Sequence, residues 1–366
     1  MSKTVTIIVT VYDIKEYLDR FFRCLKDQTF GDYEALIVDD GSSDGSLDVC
    51  RGYAEHDNRI RVYSIEHAGI SAARNYALEH IRTEYVTSLD GDDYFDKDYL
   101  KHLIDAEEES GADMIIAGII NVYENGEELD RFVERPRAYY TREDFPAVLP
   151  ALLDENRLNY LYAKLYKAEI LRDIRIEDDV RQGSDTMINC MYLEKAQSIA
   201  VTEDYDYSYV HYTKRSVTSY LGPDYFSRLL RINRFVSDSM EKSGFMNDDM
   251  RRIVDGRFLW SGSRYLSRSC KTDMPVGKLR KIASDVLNND EYMTAYRRQK
   301  ELGNIPGYRF RVLEPGKEQE FIDHVRGVKK ETEKNERLKK LREICPDPVF
   351  ELWHRAKTAL GIARKS

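Results

Sequence analysis

Between Thr4 and Leu89, four short runs of β-branched and aliphatic residues alternate with stretches of helical periodicity, and the runs end in polar loops. No other feature of the chain constrains the fold as strongly. Thr4 to Val11 (TVTIIVTV) is apolar almost throughout, which predicts a strand buried on both faces. Ala35 to Val38, Arg61 to Ile65 and Tyr85 to Leu89 supply three more strands. Helical spacing follows the first through Tyr17, Leu18, Phe21, Phe22 and Leu25. A helix from Ser46 to Glu55 follows the second, and His67-Ala68-Gly69-Ile70-Ser71 opens another after the third. Such alternation predicts an α/β chain with a parallel sheet covered by helices. Asp113 to Ile120 is expected to extend that sheet by a further step.

Open α/β sheets bind ligands beyond the carboxyl ends of their strands, and those ends are acidic here. The second strand runs into Asp39-Asp40-Gly41-Ser42-Ser43-Asp44, and the fourth into Asp90, Asp92 and Asp93. Carboxylates this crowded repel by roughly 1 kcal/mol per pair in water. A divalent cation among them would relieve the repulsion, and hard oxygen ligands on a loop suit Mg²⁺ or Mn²⁺. Asp96 reads instead as an ordinary helix N-cap.

Composition narrows the function classes. The 42% hydrophobic content is ample for a core, and no apolar run reaches the ~20 residues that span a bilayer. Met1-Ser2-Lys3 leads straight into a strand, unlike a signal peptide, and five scattered cysteines fit a reduced, cytoplasmic setting. A net charge of -9 argues against general nucleic-acid binding. The charge is uneven: from Arg326 onward 12 Lys and Arg face 6 Asp and Glu, which suggests a separate task for the tail.

The series VTVYD, IVDDGSSD, HAGISAARN and SLDGDD, in this order and spacing, resembles the inverting family 2 glycosyltransferases of the GT-A fold, of the bacterial cell-surface polysaccharide type. The likeness is densest over residues 5 to 120 and continues more loosely to about residue 220. It implies that Thr10 and Tyr12 lie where the nucleotide base sits and that Asp40 accepts from the uracil ring N–H, while Asp39 ties its turn together. Gly69, opening a helix, would let backbone N–H groups approach phosphate. Arg74 would lie near the diphosphate or orient Asp92, with a salt bridge inside the site as the competing reading. Asp90 and Asp92, with Asp93, would hold Mn²⁺ or Mg²⁺. Thr10-Val11-Tyr12-Asp13 departs from the family's usual Pro-x-Tyr-Asn, which leaves base contacts at Asp13 open.

Further on, Tyr162-Ala163-Lys164-Leu165-Tyr166 resembles the family's Trp-x-Lys-Leu-Tyr segment at the acceptor site, with Tyr162 as an aromatic face able to stack on a sugar. Gln182-Gly183-Ser184-Asp185-Thr186 corresponds to Gly-Glu-Asp ahead of a helix, with Ser184 replacing the Glu. The resemblance makes Asp185 the catalytic base; a plain N-cap is the alternative. His211 would be a metal ligand or an ordinary loop residue, and Lys214 or Arg215 would neutralise phosphate.

The implied activity is inverting transfer of a sugar from a UDP-sugar donor to a hydroxyl of a glycan or lipid-linked saccharide acceptor. A non-catalytic sugar-nucleotide or glycan-binding module and a nucleotidyltransferase are the alternatives. The latter should carry a Gly/Arg/Lys-rich loop after the first strand, and Tyr12-Asp13-Ile14-Lys15 is not one. The expected organisation is a GT-A domain over 1–220, a helical C-terminal region over 221–345 and an amphipathic basic tail over 346–366. In the tail, Val349, Leu352, Trp353, Ala356, Leu360 and Ala363 share a helical face. That face suits peripheral contact with the inner side of the plasma membrane, or packing on the helical region or on a second subunit of a homo-oligomer.

Overall fold

The computed structural model describes residues 4–131, 136–212, 224–270 and 274–304, together with 319, 322 and 323. Lys214, Arg215 and the tail over 346–366 lie outside the described residues. The first half runs β1 (Val5–Val11), α1 (Lys15–Lys26), β2 (Tyr33–Asp39), α2 (Ser46–Ala54), β3 (Ile60–Ser64), α3 (Ile70–Glu79), β4 (Tyr85–Asp90), β5 (Tyr94–Phe95) and α4 (Tyr99–Ser110). It continues with β6 (Met114–Ile116), β7 (Ile119–Tyr123), β8 (Glu128–Arg131), β9 (Ala138–Thr141), α5 (Phe145–Asp154), β10 (Lys164–Lys167), α6 (Ala168–Leu171), α7 (Ser184–Lys195), β11 (Ser198–Val201) and β12 (Tyr207–His211). Four helices follow: α8 (Tyr225–Lys242), α9 (Asp248–Cys270), α10 (Val276–Leu287) and α11 (Asp290–Glu301).

The main sheet has the order β3-β2-β1-β4-β10-β6-β11-β9. The first four strands are parallel, as their β-branched runs predict, and the register sets Thr10 beside both Val38 and Asp90. Side chains alternate between two cores. Ile8, Leu36, Val38 and Val86 pack under α3, α5 and α7, whereas Ile7, Val9, Ala35 and Ile37 pack against α1 and α4. Burying both faces is what makes these strands continuous apolar runs rather than alternating ones.

Beyond β4 the parallel expectation needs correcting. β10 intervenes, antiparallel to both β4 and β6, so Asp113 to Ile120 does not extend the parallel set directly. The stretch also splits at Ala117-Gly118, and β7 joins a second sheet of order β5-β12-β7-β8. A Cβ at Gly118 would lie 2.5 Å from the Tyr205 ring, so only glycine lets the chain change sheets there. The later strands divide likewise, with β11 in the main sheet and β12 in the second. A tight turn over Glu124 to Glu127 joins β7 to the antiparallel β8.

The chain separates into two compact units, one ending at Arg257 and the other beginning at Phe258. In the first, α8 packs on α7, with Val236 and Met240 in the core alongside Ile188. In the second, Tyr292 is fully buried and donates its hydroxyl to the Leu259 carbonyl at 3.0 Å. No helix of the described residues is long and apolar enough to cross a membrane.

Candidate active site at the carboxyl ends of the strands

The mouths of β1, β2 and β4 converge on one rim, and each acidic residue there has a distinct fate. Asp39 is fully buried, and its Oδ2 accepts from the Ser42 N–H and the Ser64 hydroxyl, both at 3.2 Å. It ties the turn together. Asp40, also buried, accepts from the Ala68 N–H at 2.8 Å and the Gly69 N–H at 3.0 Å. Its carboxylate thus fixes the loop that opens α3. Gly69, the N-cap of α3, has φ 100°, a conformation that disfavours side chains. Tyr12 is exposed and stacks on His67 with ring centroids 4.2 Å apart. Asp13 has φ 50° and accepts from the Ser43 N–H at 2.7 Å, so it latches the loop after β2.

At the end of β4 the three aspartates part ways. Asp90 is half-buried, and burial pushes its carboxyl up to about 7, helped by the charges of Asp92 and Asp185 and opposed by Arg74. Asp92 is also raised, by burial, with the Arg20 guanidinium opposing. Asp93 faces inward. Its Oδ2 accepts from the Tyr207 hydroxyl at 2.6 Å and its Oδ1 from the Val210 N–H at 2.8 Å. Both oxygens are therefore committed inside the protein, which corrects the expectation that Asp93 joins a metal set. His211, on β12, has its Nε2 3.0 Å from Asn121 Oδ1 on β7, which ties its ring to the second sheet. Among the described residues no group of three or more His, Cys, Asp or Glu side chains is arranged to hold a metal. Two carboxylates remain, Asp90 and Asp92, whose mutual repulsion suits a divalent cation completed by substrate oxygens. Asp96 does not cap a helix either: α4 begins at Tyr99 after Asp98, and the Asp96 carboxylate accepts from the Asp98 N–H at 3.0 Å.

Arg20, which carried no signal in the sequence, donates from α1 to the main-chain carbonyl of Asp92 and to the Tyr212 hydroxyl. Tyr212 also donates to that carbonyl. The DGDD turn is thereby held from below by Tyr207 and from the side by Arg20.

Asp185 occupies the first turn of α7. The N-cap position belongs to Gly183, whose φ is 80°, and no side chain caps this end. The capping alternative for Asp185 is therefore not what the geometry shows. Its Oδ1 accepts from Arg74 Nη1 at 2.6 Å, and the same nitrogen donates to the Ser184 hydroxyl. Of the readings open for Arg74, the structure has the salt bridge inside the site. The Arg74 side chain is 6% exposed and that of Asp185 21%, so the carboxylate keeps an open edge. Asp90, Asp92, Arg74 and Asp185 together form a half-buried basin of three carboxylates and one guanidinium.

Beside it lies an aromatic tier. Tyr162, expected to offer a face to a sugar, is only 3% exposed. It is covered by Tyr207 on one side (4.5 Å, 7°) and Tyr160 on the other (4.8 Å, 16°), which rules out that role. Lys164 is buried; its Nζ donates to the Tyr160 carbonyl at 2.7 Å and the Tyr162 carbonyl at 3.3 Å. Burial lowers the Lys164 ammonium to about 7, opposed by Asp185 and assisted by Arg157.

Residues 6–175 match the sequence profile described as Glycosyl transferase family 2. The chain is similar to the glycosyltransferase GlyA of Streptococcus pneumoniae, 31% identical over 191 residues, covering 50% of this chain and 27% of that protein. It is also similar to the putative glycosyltransferase EpsH of Bacillus subtilis, 27% identical over 49% of this chain and 52% of the relative. The matched stretch thus spans about half of one relative and a quarter of the other. In structure the chain resembles residues 1–349 of S. aureus TarS, crystallised with UDP-GlcNAc, with a TM-score of 0.63 at 18% identity over 91% of this chain and 92% of that one. That likeness is one of fold, and the fold is GT-A.

Proposed function

On the premise that residues 6–175 are a glycosyl transferase family 2 domain, we propose that the chain is an inverting glycosyltransferase using a UDP-sugar. The observation that carries the reading is the largely buried Asp185 at the start of α7, its carboxylate edge open, facing the Asp90 and Asp92 end of β4 across Arg74. The UDP-GlcNAc complex of the structural neighbour supports a UDP-sugar donor. The acceptor would be a hydroxyl of a glycan or lipid-linked saccharide.

The uridine would rest at the Tyr12 rim, near Asp40, and the diphosphate near the α3 N-terminus, where unsatisfied N–H groups favour phosphate. Asp90 and Asp92 would hold Mn²⁺ or Mg²⁺, which when bound offsets the charge gathering on the leaving diphosphate. Asp185 takes the acceptor's hydroxyl proton as its oxygen attacks the anomeric carbon from the side opposite UDP. One bond forms as the other breaks, so the configuration inverts. Arg74 orients Asp185 for that transfer, and the Ser184 hydroxyl accepts from the same nitrogen.

The test is Asp185→Asn, which keeps the shape and cannot accept the proton. UDP release with acceptor present should fall about 10²–10⁴-fold while UDP binding persists. Turnover close to that of the unmodified enzyme would remove Asp185 from the mechanism.

A further inference from the structure

The imidazole of His67 stands on the rim where β1 and β2 end, and it makes the two kinds of contact that a base would make there. It stacks on Tyr12, with ring centroids 4.2 Å apart and planes 20° from parallel. Its Nδ1 lies 3.0 Å from the Asp40 main-chain carbonyl and 3.0 Å from Asp40 Oδ2. A carbonyl oxygen only accepts, so Nδ1 carries the hydrogen. A flat ring thus covers Tyr12 with its N–H directed at a buried aspartate.

The main chain and the side chain of His67 are held very differently. The next two residues, Ala68 and Gly69, donate their N–H groups to the Asp40 carboxylate. A Cβ on Gly41, whose φ is 70°, would come within 2.9 Å of the His67 nitrogen, so the turn after β2 packs directly on the His67 backbone. The His67 side chain is instead 54% exposed, above an Asp40 side chain that is 5% exposed. Of the three residues placed against that carboxylate, His67 is therefore the one that a side-chain rotation alone can withdraw. Exposed side chains change rotamer within nanoseconds. Withdrawal would bare one face of Tyr12 and the Oδ2 edge of Asp40 in the same movement.

We propose that His67 is an internal occupant of the base seat, and that the donor's uracil binds by displacing the imidazole from Tyr12 and Asp40. The inference rests on the uridine reading given above and adds to it a competitor that belongs to the chain itself. With such an occupant, only molecules whose imidazole has swung away accept the base, and the apparent affinity falls by that fraction.

Titration calorimetry of the full chain against His67→Ala tests this, with UDP and with pyrophosphate as a ligand that has no base, each in the presence of Mn²⁺. Removing one aromatic contact and one shared hydrogen bond from the competitor should tighten UDP binding about threefold to thirtyfold. Pyrophosphate affinity should agree between the two proteins to within about twofold, since its contacts lie away from His67. Unchanged or weaker UDP binding by His67→Ala overturns the proposal; a weaker value would make the imidazole part of the cradle and not its occupant. A second readout uses the unmodified protein alone. The His67 ring Cε1–H proton resonance, assigned by its loss in His67→Ala, should leave its ring-current-shifted position when UDP is added and stay in place with pyrophosphate. A resonance unmoved at saturating UDP also overturns the displacement. If pyrophosphate binds both proteins and UDP binds neither more tightly than pyrophosphate does, the uridine reading beneath the inference fails as well.

Discussion

Replacing Arg74 by methionine probes the link between α3 and α7 without requiring a substrate. The guanidinium is shared by Asp185 and Ser184, 111 and 110 residues away in the chain. Removing one partner of a buried ion pair costs about 3–5 kcal/mol. Asp185 is 21% exposed, so water can replace part of the lost bond, and about 2–3 kcal/mol is the expected loss. Asp185→Asn retains an acceptor oxygen but leaves the Arg74 charge, whose Nε has no partner among the described residues, poorly compensated; roughly 2 kcal/mol is expected. The double variant strands neither charge, so its loss should fall short of the sum by about 1–3 kcal/mol. In melting temperature the single Arg74 change should cost about 4–12 °C for a unit of this size. Urea unfolding should be followed by tyrosine near-ultraviolet signal. Both tryptophans, Trp260 and Trp353, fall in the second unit and would report on it instead. Additive losses in the double variant would refute the coupling.

Other consequences follow from single positions. Gly183→Ala forces a side chain into φ 80° and brings its Cβ within 2.5 Å of Ile232, at a cost of about 1–3 kcal/mol in urea unfolding. No loss of stability would mean that the start of α7 is not held as described. Lys164 has a folded pKa near 7, below its unfolded value, so the unfolded chain binds the extra proton between about pH 7 and 10. Stability from this group therefore rises with pH across that window, and it is lost as pH falls toward 7. The difference in unfolding free energy, unmodified minus Lys164→Met, should increase from pH 7 to pH 9. A difference independent of pH would mean that Lys164 titrates normally. Asp93→Ala should destabilise the first unit by about 1–3 kcal/mol, because it leaves the Tyr207 hydroxyl and the Val210 N–H unpaired. A variant as stable as the original would contradict the inward-facing role.

The parallel half of the sheet was legible because burial on both faces makes β1, β2 and β4 unbroken apolar runs, and their polar ends mark the rim. The sheet exchange at Gly118 was not. Ile115 to Ile120 reads as one apolar stretch, and what divides it is the ring of Tyr205, far along the chain. Asp92 and Asp93 are chemically identical neighbours, and only β12 packing beneath the turn turns one of them inward. Tyr162 was misread for a similar reason: its segment predicts an aromatic near the acceptor, but Tyr207 covers one face and Tyr160 the other. The spacing of Tyr160 with Tyr162, and of Tyr207 with Tyr209, was a period-two signal that could have located the tier. Arg20 left no comparable trace, since an arginine on an amphipathic helix is unremarkable until the DGDD turn is placed beside it.

The central claim is that the carboxylates at the end of β4 bind a UDP-sugar through a divalent cation. Titration calorimetry of UDP into the unmodified protein and Asp92→Asn, each with Mn²⁺ and with chelator, tests it most directly. The account predicts strong binding only for the unmodified protein with Mn²⁺ present, with Asp92→Asn folded and reduced to the affinity seen in chelator. Equal UDP affinity in all four titrations, or equal loss of Mn²⁺ dependence in a variant that has unfolded, separates two outcomes: the first contradicts the claim, and the second is resolved by repeating the titration with Asp90→Asn, where undiminished Mn²⁺-dependent affinity would also contradict it.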